Sequence, residues 1–248
     1  MLRPRIIPVL LLTQDGLVKT KNFTNPQYIG DPINAVKIFN EKKVDELTLL
    51  DIEVSKYNQN IKFDLLSKIA SQSRMPLCYG GGIKTLDEAA QLISMGFEKI
   101  SLSTSAISNP DILDEIVSTI GAQSVVVCVD VKRKNNDEYQ IYTHGGTINT
   151  KKNLLDFVKY CESKNIGELI VNSIDNDGMM NGYDLDLAIL IRKNSNYPLT
   201  FVGGAGNTSH METLISKVGV VGVGVGSLFV FQGKYRAVLI NYVRPKIN

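Results

Sequence analysis

Cysteine and histidine are scarce in this 248-residue chain, which holds three of the first (Cys78, Cys128, Cys161) and two of the second (His144, His210). The cysteines are odd in number, far apart and without a C-x-x-C spacing, so no disulfide framework or zinc site follows. Cys78 and Cys128 lie in apolar, strand-like runs and read as buried reduced thiols rather than nucleophiles, which fits a reducing cytoplasm. Neither histidine has a carboxylate or cysteine at ligand spacing. Both are expected at the surface, and no metal or other cofactor is expected. An excess of either charge is also missing, because 27 Lys+Arg face 25 Asp+Glu for a formal net charge of +2. A nucleic-acid or anionic-lipid partner would call for a basic stripe or a far more basic balance. Any anion specificity must therefore be local. Long hydrophobic runs are lacking too: the most apolar long stretch, 218–233, contains five glycines and falls short of the ~18–20 apolar residues of a membrane span. At the N-terminus, Arg3 and Arg5 before the apolar run 6–12 imitate a secretion signal. Pro8 and the continuation Thr13-Gln14-Asp15-Gly16 argue instead for a first buried strand.

What the chain has is alternation. Eight short runs rich in Val, Ile and Leu (6–12, 46–52, 76–79, 99–102, 124–131, 168–173, 199–202 and 220–225) predict parallel strands buried on both faces. Between them, amphipathic stretches at 32–43, 64–73, 86–95, 110–120, 153–164, 185–193 and 209–217 predict helices. Eight such units in this length match a single (β/α)8 TIM barrel spanning 1–248; an open doubly wound sheet is the rival. An internal repeat at an offset of 122 carries 46–52 onto 168–174, Gly81-Gly82 onto Gly203-Gly204 and 92–94 onto 214–216. One offset joining three separated segments reads as two half-barrels, about 1–120 and 121–248.

In such a barrel the chemistry collects at the C-terminal ends of the strands. Gly80-Gly81-Gly82 ends the third strand and Gly203-Gly204-Ala205-Gly206 the seventh, each before a helix. Bare backbone N–H groups there can approach an anion, aided by the positive end of the following helix. Ser103-Thr104-Ser105, Asp177-Gly178 and Gly226-Ser227 follow strands 4, 6 and 8. The repeat thus predicts two phosphate cradles on opposite sides of the mouth, unless these glycines only form tight turns. Asp130 ends the fifth strand as a carboxylate open to upward pKa tuning, suited to acid/base work. Leu11, where the first strand should supply the counterpart, moves no protons. At the opposite ends, Arg5, Glu46, Lys99 and Glu168 stand at strand starts, where a paired cluster would plug the barrel bottom.

The chain resembles the HisF family, the cyclase subunit of imidazole glycerol phosphate synthase. The resemblance is carried by Arg5-Ile6-Ile7-Pro8, Lys19 with Asn22-Phe23, Gly30-Asp31-Pro32, Asp45-Glu46-Leu47 with Leu50-Asp51-Ile52, and Gly80-Gly81-Gly82-Ile83. It continues through Gln123-Ser124-Val125-Val126-Val127 with Asp130, Ser173-Ile174-Asp175, Asp177-Gly178, Gly182-Tyr183-Asp184 and Gly203-Gly204-Ala205-Gly206. It implies that Gly81, Gly82, Ser103 and Thr104 bind one phosphate and that Asp177, Gly178, Gly203, Gly204, Gly226 and Ser227 bind the other. It implies that Arg5, Glu46, Lys99 and Glu168 gate ammonia arriving from a glutaminase docked at the barrel bottom, and that Lys19 sits on a flexible loop closing over an anionic ligand. The family uses two aspartates, of which only Asp130 is present; Leu11 takes the other place, and Asp15 four residues on could compensate or simply form a turn.

The runs 8–12, 17–20 and 228–242 are similar to the WbuZ-type HisF-like branch associated with acetamidino modification of surface-polysaccharide sugars. That similarity implies a HisH-like glutaminase partner, a phosphorylated or nucleotide-linked sugar ligand and a separate amidotransferase. The expectation is a cytoplasmic subunit that conducts or uses ammonia in amidine formation. A histidine-pathway cyclase, a non-catalytic conduit and a lone isomerase are the alternatives.

Overall fold

The structure, a computed structural model, describes residues 3–109, 111–134 and 138–246. Eight parallel strands form the barrel: β1 (Arg5–Thr13), β2 (Leu47–Asp51), β3 (Leu77–Gly80), β4 (Lys99–Leu102), β5 (Val125–Arg133), β6 (Glu168–Ser173), β7 (Leu199–Val202) and β8 (Gly222–Val225). Each pairs with the next in register, and β8 closes on β1 through Arg5↔Gly222 to Pro8↔Val225. Nearly every residue of these strands is buried, because helices cover the outer face while side chains fill the inner one.

Seven long helices stand between the strands among the described residues: α1 (Pro32–Glu41), α2 (Phe63–Gln72), α3 (Leu86–Ser94), α4 (Asp111–Ile120), α5 (Leu154–Ser163), α6 (Leu185–Asn194) and α7 (Thr208–Val218). Their starts are chemically marked. Asp31 caps α1 with Pro32 in its first turn, Thr85 and Glu88 form a capping box on α3, and Asn153, Asp184 and Asn207 cap α5, α6 and α7. Pro110, the expected first residue of α4, lies outside the described residues.

Among the described residues, no long helix follows β8. A single turn, Ser227–Phe229, leads into a two-stranded ribbon, Phe231–Gln232 with Ala237–Val238. The chain then descends the outside of the barrel in irregular form, with the Tyr242 ring 5.1 Å from Phe229 and its hydroxyl donating to the Ile6 carbonyl. Arg244 reaches Asp45 at the barrel bottom at 2.9 Å. This tail takes the place of an eighth helix.

Two hairpins interrupt the β/α alternation where the sequence pattern predicts plain loops. Gly16–Lys21 and Thr24–Gly30 extend β1, with Leu11↔Val18 in register; Tyr139–Thr143 and Ile148–Asn153 extend β5, with Asp130↔Tyr142. The first turns tightly at Asn22 and Phe23, both at positive φ, and the second at His144, Gly145 and Gly146. Both rise over the mouth beside the strand ends that matter for chemistry. No helix of the described residues is long and apolar enough to cross a membrane.

Candidate active site and ammonia entrance

The mouth opens into a cavity of about 1170 Å3, a volume that includes open solvent. Its walls include Lys19, Gly81, Ser103, Thr104, Asp130, Asp177, Gly178, Gly203, Gly204, Gly226 and Ser227. Most residues predicted for the two cradles and the acid/base role are thereby brought together. Gly82 is not in the wall: its N–H donates to Ser55 Oγ at 3.1 Å, and a Cβ there would lie 1.9 Å from Val54. It shapes the loop rather than facing a ligand.

The acid/base centre is one-sided. Asp130 Oδ1 accepts a hydrogen bond from Asn172 Nδ2 at 3.0 Å, and Asn172 is its register partner on β6. Burial pushes the Asp130 carboxyl up to about 7, against the lowering pull of the Asn172 bond. Across the cavity the corresponding pair is Leu11 and Leu50, register partners on β1 and β2. Asp15 does not fill the gap, since it is exposed in the turn between β1 and its hairpin. Asn172 escaped sequence reasoning, although it is the polar residue interrupting an apolar run at the repeat position of Leu50.

Lys19 differs from expectation. It lies in a strand paired on both sides, β1 on one and Thr24–Gly30 on the other, rather than in a flexible loop. The pairing points its side chain down into the barrel, where Nζ donates to the Val9 carbonyl and lies 3.0 Å from the place a Gly226 Cβ would occupy. Burial lowers its pKa to about 8, partly opposed by Asp177.

The first cradle gathers Gly81, Ser103 and Thr104. Gly81 has a φ of +133°, and a Cβ there would lie 2.5 Å from the Asp51 carbonyl, so a side chain is excluded. Asp51 also faces the cavity; burial raises its pKa, against hydrogen bonds from the Glu53 and Val54 N–H groups. The residues expected for the second cradle, Gly203, Gly204, Gly226 and Ser227, all line the cavity, with Asp177 accepting from Thr20 Oγ1 at 2.7 Å. Burial raises the Asp177 pKa, with Thr20 and Lys19 opposing. Gly204 has a φ of +109° and packs against Gly182, whose N–H donates to its carbonyl at 2.8 Å.

Seven buried side-chain polar atoms lack a partner among the described residues, and four of them, Asp51 Oδ2, Ser101 Oγ, Asn172 Oδ1 and Ser227 Oγ, belong to residues of this cavity. Native proteins rarely leave such atoms unsatisfied. The four atoms face one cavity, where a water or a ligand group could satisfy them.

The histidines are half-buried rather than at the surface. His210 Nδ1 accepts the Gly206 N–H at 3.2 Å, which removes that donor from the second cradle. No group of three or more His, Cys, Asp or Glu among the described residues is arranged to hold a metal. The three cysteines are free and buried, and desolvation holds the Cys78 and Cys128 thiols well above their ordinary range.

At the barrel bottom the four predicted charges form a closed ring. Arg5 bonds Glu46 at 2.5 Å and Glu168 at 2.7 Å, and Lys99 bonds both glutamates at 2.9 Å. Thr200 Oγ1 adds a hydrogen bond to Glu168. Burial works to raise the Glu168 pKa, but Arg5 and Lys99 outweigh it and hold the carboxyl below its usual range. Burial likewise works to lower Lys99, and the two glutamates overcome it. Between ring and cavity lies an apolar inner layer of Val9, Cys78, Val126, Cys128, Ile170 and Val202.

Comparison with known proteins places this architecture. A profile of the family described as "Histidine biosynthesis protein" matches residues 5–236. A Vibrio vulnificus chain, provisionally named imidazole glycerol phosphate synthase subunit hisF3, is 48% identical over 246 residues, 99% of this chain and 95% of that one. A Leptospira borgpetersenii chain with the corresponding provisional name for HisF is 50% identical over 243 residues, 98% of this chain and 96% of that one. The Dictyoglomus turgidum imidazole glycerol phosphate synthase subunit HisF is 36% identical over 246 residues, 99% of this chain and 97% of that one.

Proposed function

Because the chain belongs to the histidine-biosynthesis protein family, among the HisF subunits of imidazole glycerol phosphate synthase, we propose that it receives ammonia from a HisH-like glutaminase and delivers it to a phosphorylated ligand in the barrel mouth. The glutaminase docks on the N-terminal face, over the ring of Arg5, Glu46, Lys99 and Glu168. Opening one ion pair admits ammonia to the apolar layer beyond, where the neutral molecule passes more easily than ammonium. Asp130 then handles protons, with a pKa of about 7 that suits transfer in either direction near neutrality. Gly81, Ser103 and Thr104 form one phosphate cradle, whose loop Gly82 shapes from outside the cavity wall. Asp177, Gly178, Gly203, Gly204, Gly226 and Ser227 shape the other, and Lys19 lends it a nearby cation.

The finer reading is amidine formation on a cytoplasmic sugar precursor of surface polysaccharide, as in the WbuZ-type branch, alone or with a separate amidotransferase. In that reaction ammonia adds to an acylamino carbon and the oxygen leaves as water, with Asp130 carrying the proton between them. The observation that carries this reading is the pairing of an intact ring at the bottom with a half-apolar mouth, where Leu11 and Leu50 stand opposite Asp130 and Asn172. Ring closure of an imidazole by a two-carboxylate site lacks one of its groups here. Complementation of a cyclase-deficient strain is the test. Failure to restore growth without histidine supports the reading, and robust growth overturns it in favour of the histidine-pathway cyclase that the relatives' names suggest.

A further inference from the structure

One unpartnered cation stands beside the second cradle. Arg236 lies in the ribbon turn after β8, and none of the ion pairs among the described residues involves it. Its guanidinium stacks 4.4 Å from the Phe231 ring centre, Nη1 points at Met180 Sδ at 3.8 Å, and buried Nε has no acceptor. The backbone of Arg236 is held at a φ of +52°, a conformation uncommon for a non-glycine residue. Its neighbour Lys234 packs over Tyr235 and likewise has no carboxylate partner among the described residues. A fixed guanidinium with a spare buried N–H and no counter-charge is poised for an anion.

The location says which anion. Met180 lines the cavity, and its carbonyl lies 2.0 Å from where a Gly206 Cβ would be, so it packs against the Gly203–Gly206 loop. Arg236 is thus one side chain outward from the second cradle, on the same segment that supplies Ser227. We propose that Arg236 extends the second cradle into a diphosphate site, with the inner phosphate on the glycine loops and Ser227 and the outer phosphate on the Arg236 fork. The ligand class is a diphosphate ester, linked either to a nucleoside or to a sugar alone. The adjacent Tyr235 ring, exposed to solvent, offers a base a stacking surface in the first case.

This rests on the reading of the Gly203–Ser227 surface as a phosphate cradle, and calorimetric titration of the full chain separates the two. Inorganic phosphate, inorganic pyrophosphate and uridine diphosphate are the probes. Wild type is expected to bind pyrophosphate at least tenfold more tightly than phosphate. Arg236→Gln should cut that preference to about twofold while leaving phosphate affinity within twofold, and Arg236→Lys should keep part of it. Uridine diphosphate binding more tightly than pyrophosphate, with the gain lost in Tyr235→Ala, identifies the nucleoside-linked source; equal binding identifies the sugar-linked one. In wild type, the Arg236 Nε–H resonance should shift with pyrophosphate and stay with phosphate, a readout independent of how the variants fold. Phosphate binding without any pyrophosphate preference overturns the Arg236 site and leaves the cradle standing. No binding of any probe overturns both.

Discussion

Asn172 Nδ2 donates to Asp130 Oδ1 at 3.0 Å between register partners on β6 and β5, whereas the register partners on β1 and β2 that face them are two leucines, Leu11 and Leu50. The Asp130–Asn172 pair therefore has no polar counterpart at the facing register positions. Asp130→Asn keeps the shape and the Asn172 contact but removes the titrating group, and should lower product formation by about 10²–10⁴-fold while glutaminase turnover persists. Under a pure-conduit role, product formation would survive this change.

The pH dependence follows from the same pair. The kcat/KM profile should carry an inflection near pH 7 from Asp130, absent in Asp130→Asn. Because the Asn172 bond favours the carboxylate, Asn172→Ala should move the inflection upward. Stability has a definite sign as well. A folded-state pKa raised from 3.8 to about 7 makes the folded chain bind more protons than the unfolded one in that interval, so this group's contribution falls as pH rises through it. Asp130→Asn should thus gain Tm relative to wild type between pH 5 and pH 8, as calorimetry can follow.

The leucine pair makes a double-mutant cycle informative. Leu11→Asp places a carboxylate against Leu50, a nearly buried site with no donor in the Asn172 position, and should destabilise by roughly 2–4 kcal/mol. Adding Leu50→Asn rebuilds the polar pair of the other half, and denaturant melts should reveal a favourable coupling of about 0.5–3 kcal/mol. Zero coupling would mean that the two halves are not equivalent in geometry.

Much of this was legible before the structure, for a physical reason. Strands 99–102, 168–173 and 199–202 match the sequence pattern to the residue because burial on both faces leaves an uninterrupted apolar signature, and the helices expected from 32, 86 and 185 begin there, whereas those expected from 64, 153 and 209 begin at 63, 154 and 208. The hairpins were not legible. Lys19 and Thr20 are polar yet buried, since they face a cavity whose wall is built by distant strands. Asn172 carries meaning only through the β5–β6 register that brings it to Asp130. The tail gives no helical period because Phe229, Ile240 and Tyr242 pack against the barrel one by one.

Strand β8 offers a structural test. Gly222 leaves room for Thr200, whose Oγ1 would lie 1.7 Å from an added Cβ and which bonds Glu168 of the ring. Gly222→Ala should cost roughly 1–3 kcal/mol in a denaturant melt and loosen the ring, whereas Gly219→Ser, strained by its φ of +77° despite the open space around its Cβ, should leave the ring intact.

Isotope retention measures the proposed ammonia transfer through the ring directly. A complex reconstituted with a HisH-like glutaminase is fed glutamine labelled in its amide nitrogen, in the presence of excess unlabelled ammonium, and the product is weighed by mass spectrometry. Wild type should retain the label. Lys99→Ala breaks two of the four ion pairs and should lose about 1–3 kcal/mol, below the ~3–5 kcal/mol of a fully buried pair because Lys99 keeps 19% of its side-chain surface exposed; its product should carry mostly unlabelled nitrogen. A wild-type product diluted to the isotopic composition of the bulk ammonium would overturn transfer through the ring.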